Sequence, residues 1–233
     1  RIALNSANNS MPELARELRN AQRLLVIKPS SLGDIVHVLP AVAVIKAAMP
    51  KLEIRWVVNE EFAPILQGNT DLEEVIAFPR SRMRGSLSAV RFLGWSRILS
   101  LPEPPDLVID FQGLFRSGLM ANRSGGAKVV GLSDAREFAG IFHHHRVEVD
   151  PDVHAVDRYL EVPRVLGIKV PEDDTGLCFK LPLEKPERPP PDGFVLLHPF
   201  SRGAGKSLAM GSVRAFCEAM GQCPVVLVGR GGP

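Results

Sequence analysis

Residues 23–40 read RLLVIKPSSLGDIVHVLP, and this stretch decides the fold. The run RLLVIK is aliphatic without alternation and is closed by Pro29, Ser30 and Ser31, the mark of a strand buried on both faces of a parallel sheet. After the loop PSSLGD comes IVHVLPAVAVIKAAMP, apolar at helical spacing, with Pro40 expected in the first turn or at a kink near the start. EIRWVV follows as a second strand. Further along, EEFAPILQG reads as a short helix, VIAFP and DLVID as strands, LFRSGLMANRSG as a helix, KVVGL as a strand and HAVDRYLEVPRVLGI as a helix. This alternation predicts an α/β fold with a doubly wound parallel sheet, whose ligands gather beyond the carboxyl ends of the strands. The loops after Lys28, Val58, Phe78 and Asp110 are therefore the places where chemistry is expected.

The chain has 233 residues, 45% of them hydrophobic and 23% charged, enough apolar mass for a core, which excludes disordered and fibrous classes. A formal charge of +2 compels no nucleic-acid partner. Cys178, Cys217 and Cys223 are odd in number and lack a C-x-x-C spacing, arguing against a disulfide framework or a zinc site and for a reducing cytoplasm. No apolar run reaches the roughly 20 residues of a bilayer span.

Residues 1–10 are expected to be a tail or appended sequence, with the first domain covering 11–184. The Pro- and charge-rich EKPERPPPDG marks a linker, placed at 185–192. FVLLHP, SRGAGKS, LAMGSVRAFCEAM and VVLVG then open a second α/β domain over 193–233. Some forty residues cannot cover a sheet on both faces, so the expectation is a fragment.

Asp34 sits where the first strand hands over to its helix. The helix N-terminus favours its ionised form, which could take a proton from a substrate hydroxyl, and small Ser30, Ser31 and Gly33 would let substrate approach the backbone. Helix capping is the alternative, and spacing alone favours it. Arg80, Arg82, Arg84, Arg91 and Arg97 occur with no acid before Glu103, which points to an anionic ligand. Arg80, Arg82 and Arg84 follow a strand end, where guanidinium forks grip carboxylates or phosphates. The remainder reads as an amphipathic helix, core-facing with a solvated basic side or touching a membrane surface.

Gln112, Gly113 and Arg116 follow another strand, with Gly113 permitting a tight turn and Gln112 or Arg116 free to enter a cleft. SRGAGKS resembles a phosphate-binding turn with Lys206 at a helix start, but Phe200 stands where a P-loop needs Gly. Adjacent His143, His144 and His145 diverge and complete no metal site, so solvated or hydrogen-bonding roles are expected. His154 is either a cap-region residue or a ligand contact.

KPSSLGDIVHVLPA, WVVNEEFAPI, DLVIDFQGLFRSG, AREFAGIFHHH, HAVDRYLEV and the post-linker strand with SRGAGKS together resemble the lipopolysaccharide heptosyltransferases of glycosyltransferase family 9, and their type I branch most. The resemblance runs from about Arg23 to Gly229. It implies a GT-B architecture of two Rossmann-like domains, the first taking Kdo-lipid A as acceptor and the second ADP-heptose as donor, at the cytoplasmic side of the inner membrane. Neither a metal nor another cofactor is implied. Asp34 maps onto the family's proposed base, and Arg80, Arg82 and Arg84 onto its acceptor-gripping loop. Ser201 and Lys206 map onto its phosphate contacts, although Ser207 and Leu208 replace the usual aromatic residue. The implied reaction is inverting transfer of L-glycero-D-manno-heptose. Its rivals are another sugar transferase of the family, resembling heptosyltransferase II, and a non-catalytic anion- or lipid-binding remnant. A hydride-transfer module is disfavoured because G-x-G-x-x-G is missing after the first strand.

Overall fold

The computed structural model describes residues 14–83, 85–172, 179–181, 189–200 and 207–229. The chain divides into two compact units, Arg1–Pro182 and Leu183–Pro233. Residues 1–13, the first half of the expected linker, Cys178, Arg84, Ser201 and Lys206 lie outside the described residues.

The first unit is a six-stranded parallel sheet of β1 (Arg23–Ile27), β2 (Glu53–Asn59), β3 (Glu74–Phe78), β4 (Leu107–Asp110), β5 (Lys128–Leu132) and β6 (His145–Val147). The strand order is β3-β2-β1-β4-β5-β6, with the direction of winding reversing between β1 and β4. Helix residues 14–20 (α1) precede the sheet, and α2 (Leu32–Ala48), α3 (Ser88–Ser96), α4 (Phe115–Arg123) and α5 (Ala155–Val165) cross over it. The aliphatic run in β1 is explained by these two layers. Leu24 and Val26 face a cluster with Val38, Ile45 and Leu160, whereas Leu25 and Ile27 face one with Phe92, Leu99 and Met120.

Three expectations need correction. Pro40 lies well inside α2, which runs on to Ala48. An interior proline costs about 3 kcal/mol, but α2 buries Ile35 and every residue from Val38 to Ile45, and each large aliphatic side chain buried contributes about 1.5–3 kcal/mol. The amphipathic helix expected over Leu87–Leu99 is α only from Ser88 to Ser96 and tightens to a 3₁₀ turn at Arg97–Ser100, while Arg80–Arg82 before it form a 3₁₀ turn. EEFAPI forms a 3₁₀ turn rather than an α-helix. The histidine run also supplies β6, a short strand that the sequence pattern did not announce.

The second unit contains β7 (Val195–Leu197), α6 (Met210–Ala219) and β8 (Val225–Leu227), with β7 and β8 paired in parallel. It repeats the strand–helix–strand unit of the first.

Candidate active site

A cleft of about 240 Å³ opens beyond the carboxyl ends of β1 to β4, lined by Ser30, Asn59, Phe78, Arg80, Gln112, Leu114, Arg116, Ser117 and Glu137 with Pro29. This is the switch point where a doubly wound sheet leaves room for a ligand. Arg80 and Arg116 bring two cations to it, against one acid, Glu137. The Arg116 guanidinium lies 5.9 Å from the centre of the Phe78 ring, a cation–π contact that steers it.

The loop after β4 is set by Asp110, which is fully buried. Its Oδ1 accepts the backbone N–H groups of Gln112 (3.0 Å) and Gly113 (3.1 Å), and its Oδ2 accepts the Ser117 hydroxyl (2.9 Å). The imidazole of His143, also buried, lies 3.1 Å from the same Oδ2. The His143 Nδ1 has no partner among the described residues. That pattern suits a ring proton on Nε2, donated to Asp110. Gln112 Oε1 accepts the N–H of Ser30 at 3.2 Å, joining this loop to the one after β1.

Gly113 adopts φ 63°, and a Cβ there would stand 3.1 Å from the Ala135 Cα. Gly113→Ala therefore combines left-handed strain with a backbone clash, and a urea titration should show a loss of about 1–3 kcal/mol.

Asp34 occupies the first turn of α2, half-buried, and does not line the cleft. Its Oδ2 accepts both the backbone N–H (3.0 Å) and the hydroxyl (2.7 Å) of Ser31. The capping reading is thus met by geometry, one carboxylate oxygen reaching back to the residue that opens the helix. Oδ1 receives no hydrogen bond from the described residues. Burial pushes the acid upward, but the two Ser31 bonds, with the positive charge of Lys28 and of His37, outweigh it and leave Asp34 below the usual aspartate range. A Cβ at Gly33 would meet nothing within 4 Å, so the helix start is open at that neighbouring position.

Of the other sequence candidates, Ser30, Arg80, Gln112 and Arg116 meet in the cleft. Arg82 does not; it pairs with Glu60 at 3.5 Å on the surface. His154 caps α5, its Nδ1 accepting the Val156 N–H at 3.3 Å, and its ring contacts His37 edge-on at 5.2 Å. His144 Nδ1 accepts the N–H of Val129 at 3.0 Å. No cluster of three or more metal-ligating side chains occurs among the described residues.

Three residues were missed. Lys28 is buried at the end of β1, where its ammonium donates to the Phe111 carbonyl and the Tyr159 hydroxyl, both at 3.0 Å. His37 stands one turn along α2 from Asp34, a spacing readable in sequence. Asn59 ends β2 and is buried against the cleft, and its Nδ2 has no partner among the described residues. The signal for Asn59 was a polar residue closing an aliphatic strand at the ligand-binding edge. Asn59→Ala and Arg116→Ala are each expected to weaken binding of a small carboxylate such as acetate by roughly tenfold, measured by calorimetry, the loss of one charge-assisted hydrogen bond.

No protein-family model matches the chain. Lipopolysaccharide heptosyltransferase 1 of Pseudomonas aeruginosa is 37% identical over 164 residues, covering 66% of this chain and 46% of that protein. The Escherichia coli K12 protein of the same name is 31% identical over 157 residues, 64% of this chain and 49% of that protein. The chain spans about half the length of these relatives. Among solved structures, E. coli heptosyltransferase WaaC with ADP-2-deoxy-2-fluoro heptose matches with a TM-score of 0.74 at 24% identity, over 91% of this chain and 70% of that one. A glycosyl transferase family 9 protein from Veillonella parvula matches with a TM-score of 0.72 at 18% identity, over 88% and 62%. These structural likenesses give the fold, that of the GT-B heptosyltransferases. Over the residues that align, the chain is similar to lipopolysaccharide heptosyltransferase 1.

Proposed function

We propose that the protein is an inverting glycosyltransferase that moves L-glycero-D-manno-heptose from ADP-heptose to the Kdo region of the lipopolysaccharide inner core. The observation that carries this reading is a carboxylate held ionised at the start of α2, whose Oδ1 takes no hydrogen bond from the described residues, on the same loop that sends Ser30 into the cation-lined cleft at the sheet's switch point. Arg80 and Arg116, with Ser30, Asn59 and Gln112, would hold the acceptor's carboxylate, bidentate guanidinium contacts fixing its orientation. The acceptor hydroxyl attacks the anomeric carbon as Asp34 Oδ1 takes its proton, and the bond to ADP breaks on the opposite face, inverting the centre. The diphosphate leaves as a stable anion, with Ser201 and Lys206 assigned to it through the resemblance alone. A second boundary assignment, acceptor domain before the linker and donor domain after it, belongs to the same proposal.

The acceptor is lipid-borne, so the reaction is placed at the cytoplasmic face of the inner membrane. Among the described residues no helix is long and apolar enough to cross a membrane. The test is to supply ADP-heptose and a Kdo-terminated lipid A. The expected result is ADP release, an acceptor heavier by one heptose, and an anomeric configuration opposite to the donor's. Transfer only to an already heptosylated acceptor would move the assignment to the heptosyltransferase II type. Binding of both substrates without transfer would overturn the enzymatic reading.

A further inference from the structure

Helix α3 is apolar on two opposite sides. Inward, Phe92 and Ser96 are buried, Trp95 packs edge-on against Phe78 with ring centres 4.7 Å apart, and Leu99 follows in the next turn. Outward, Leu87, Val90 and Leu93, continued by Ile98 and Leu101, are all exposed, Val90 by 66%. Within α3 Val90 falls roughly opposite Phe92 with Leu93 beside it, while Leu87, Ile98 and Leu101 expose further apolar surface in the segments flanking the helix. A surface helix ordinarily turns polar residues outward, so a row of large aliphatics in solvent marks a contact surface.

The charge around this row has one sign. Arg80, Arg82, Arg91 and Arg97 are exposed beside it, and the chain has no Asp or Glu between Glu74 and Glu103. Those two flanking acids are engaged elsewhere, Glu74 with Arg55 at 2.9 Å and Glu103 with Arg23. Arg82 pairs with Glu60, and Arg91 donates to the Arg82 carbonyl at 3.1 Å, tying the arginine turn to the helix.

We infer that this outer face of α3 is the surface on which the protein lies against an anionic lipid bilayer, the aliphatic row at the headgroup–acyl boundary and the arginines on lipid phosphates. Apolar side chains flanked by guanidinium groups are the combination that an anionic membrane surface binds. A symmetric contact with a second copy would instead bring the same arginines face to face, which their charge opposes. Arg80 belongs both to this segment and to the cleft, so docking here would bring the cleft close to lipid-borne substrate. The inference deepens the transfer reading and takes from it only the lipid-borne acceptor.

The test uses the full chain with vesicles of phosphatidylglycerol and phosphatidylcholine. Co-sedimentation is expected and should weaken as salt rises. Val90→Asp with Leu93→Asp should lower partitioning at least about tenfold, and Arg97→Gln by roughly fivefold. Circular dichroism should show both variants folded, since the changed residues are exposed. Failure of the folded wild-type chain to bind these vesicles would overturn the inference, as would equal binding by the double variant. A dimer in analytical ultracentrifugation that the double variant dissolves, without lipid binding, would overturn it in favour of a second copy. Calorimetric titration of Kdo separates the two readings. Lost vesicle binding with Kdo capture intact sinks the docking face alone, whereas vesicle binding without sugar transfer sinks only the enzymatic assignment.

Discussion

Asp34→Asn is expected to lower heptosyl transfer by about 10²- to 10⁴-fold, the span a general base contributes, while donor affinity stays near that of the unchanged protein. Asparagine has nearly the same shape, and its side-chain oxygen can still accept from the Ser31 N–H and hydroxyl that hold the aspartate at 3.0 and 2.7 Å. The helix cap therefore survives and the proton acceptor does not. The substitution thus divides the two readings of this residue. A variant that still transfers at the original rate, measured by ADP release, would reduce Asp34 to a cap.

The pH dependence follows from the same contacts. Burial raises the acid, and the bonds from Ser31 with the charges of Lys28 and His37 bring it below its ordinary value. A folded-state pKa lower than the unfolded one adds stability that is fully present above the unfolded value and is lost as pH falls through the folded one. The same protonation removes the base. With respect to Asp34, transfer should stay level through neutral pH and decline only on the acid side of the usual aspartate range, as an initial-rate profile would show. A decline centred near neutrality would assign the proton to another group.

Asp110→Ala should cost about 3–5 kcal/mol in a urea titration, several donors losing their acceptor at about 1–3 kcal/mol for each one left buried and unpaired. The fully buried carboxylate serves four donors: two backbone N–H groups, the Ser117 hydroxyl and His143. Removing it leaves each of them buried without that acceptor. It also frees the turn that presents Gln112 and Arg116, so Kdo binding should fall even in the fraction that remains folded. Asp110→Asn is the informative companion. Its oxygen can keep the two backbone bonds, but its amide faces the Nε2 of His143. Flipping that ring's proton to Nδ1 would strand it on an atom with no partner among the described residues. An intermediate loss of about 1–3 kcal/mol is therefore expected. A stable Asp110→Ala protein would show that packing, and not this network, holds the turn.

The alternation of strand and helix was legible from residue types because it rests on short-range rules. Unbroken aliphatic runs make buried parallel strands, Pro, Gly and Ser punctuate them, and the winding then places the loops at one edge. The same rules located the β1 and β4 loops from which Ser30, Gln112 and Arg116 reach one cleft. They misjudged Pro40 because local propensity cannot count the side chains that α2 buries on tertiary packing. They carried the amphipathic helix on to Leu99 because apolar spacing does not register the tightening to a 3₁₀ turn after Ser96.

What the chain's order of residues determined by itself is the α/β class, the parallel sheet and the edge where ligands collect, since each depends on neighbours a few positions apart. Tertiary structure alone decided that Lys28 meets Tyr159, that His143 completes the shell of Asp110, and that Asn59 brings to the cleft an amide unpaired among the described residues. It also decided that the apolar outer face of α3 is left bare. Those pairings join residues separated by whole crossovers, and only the closing of the sheet brings them within bonding distance.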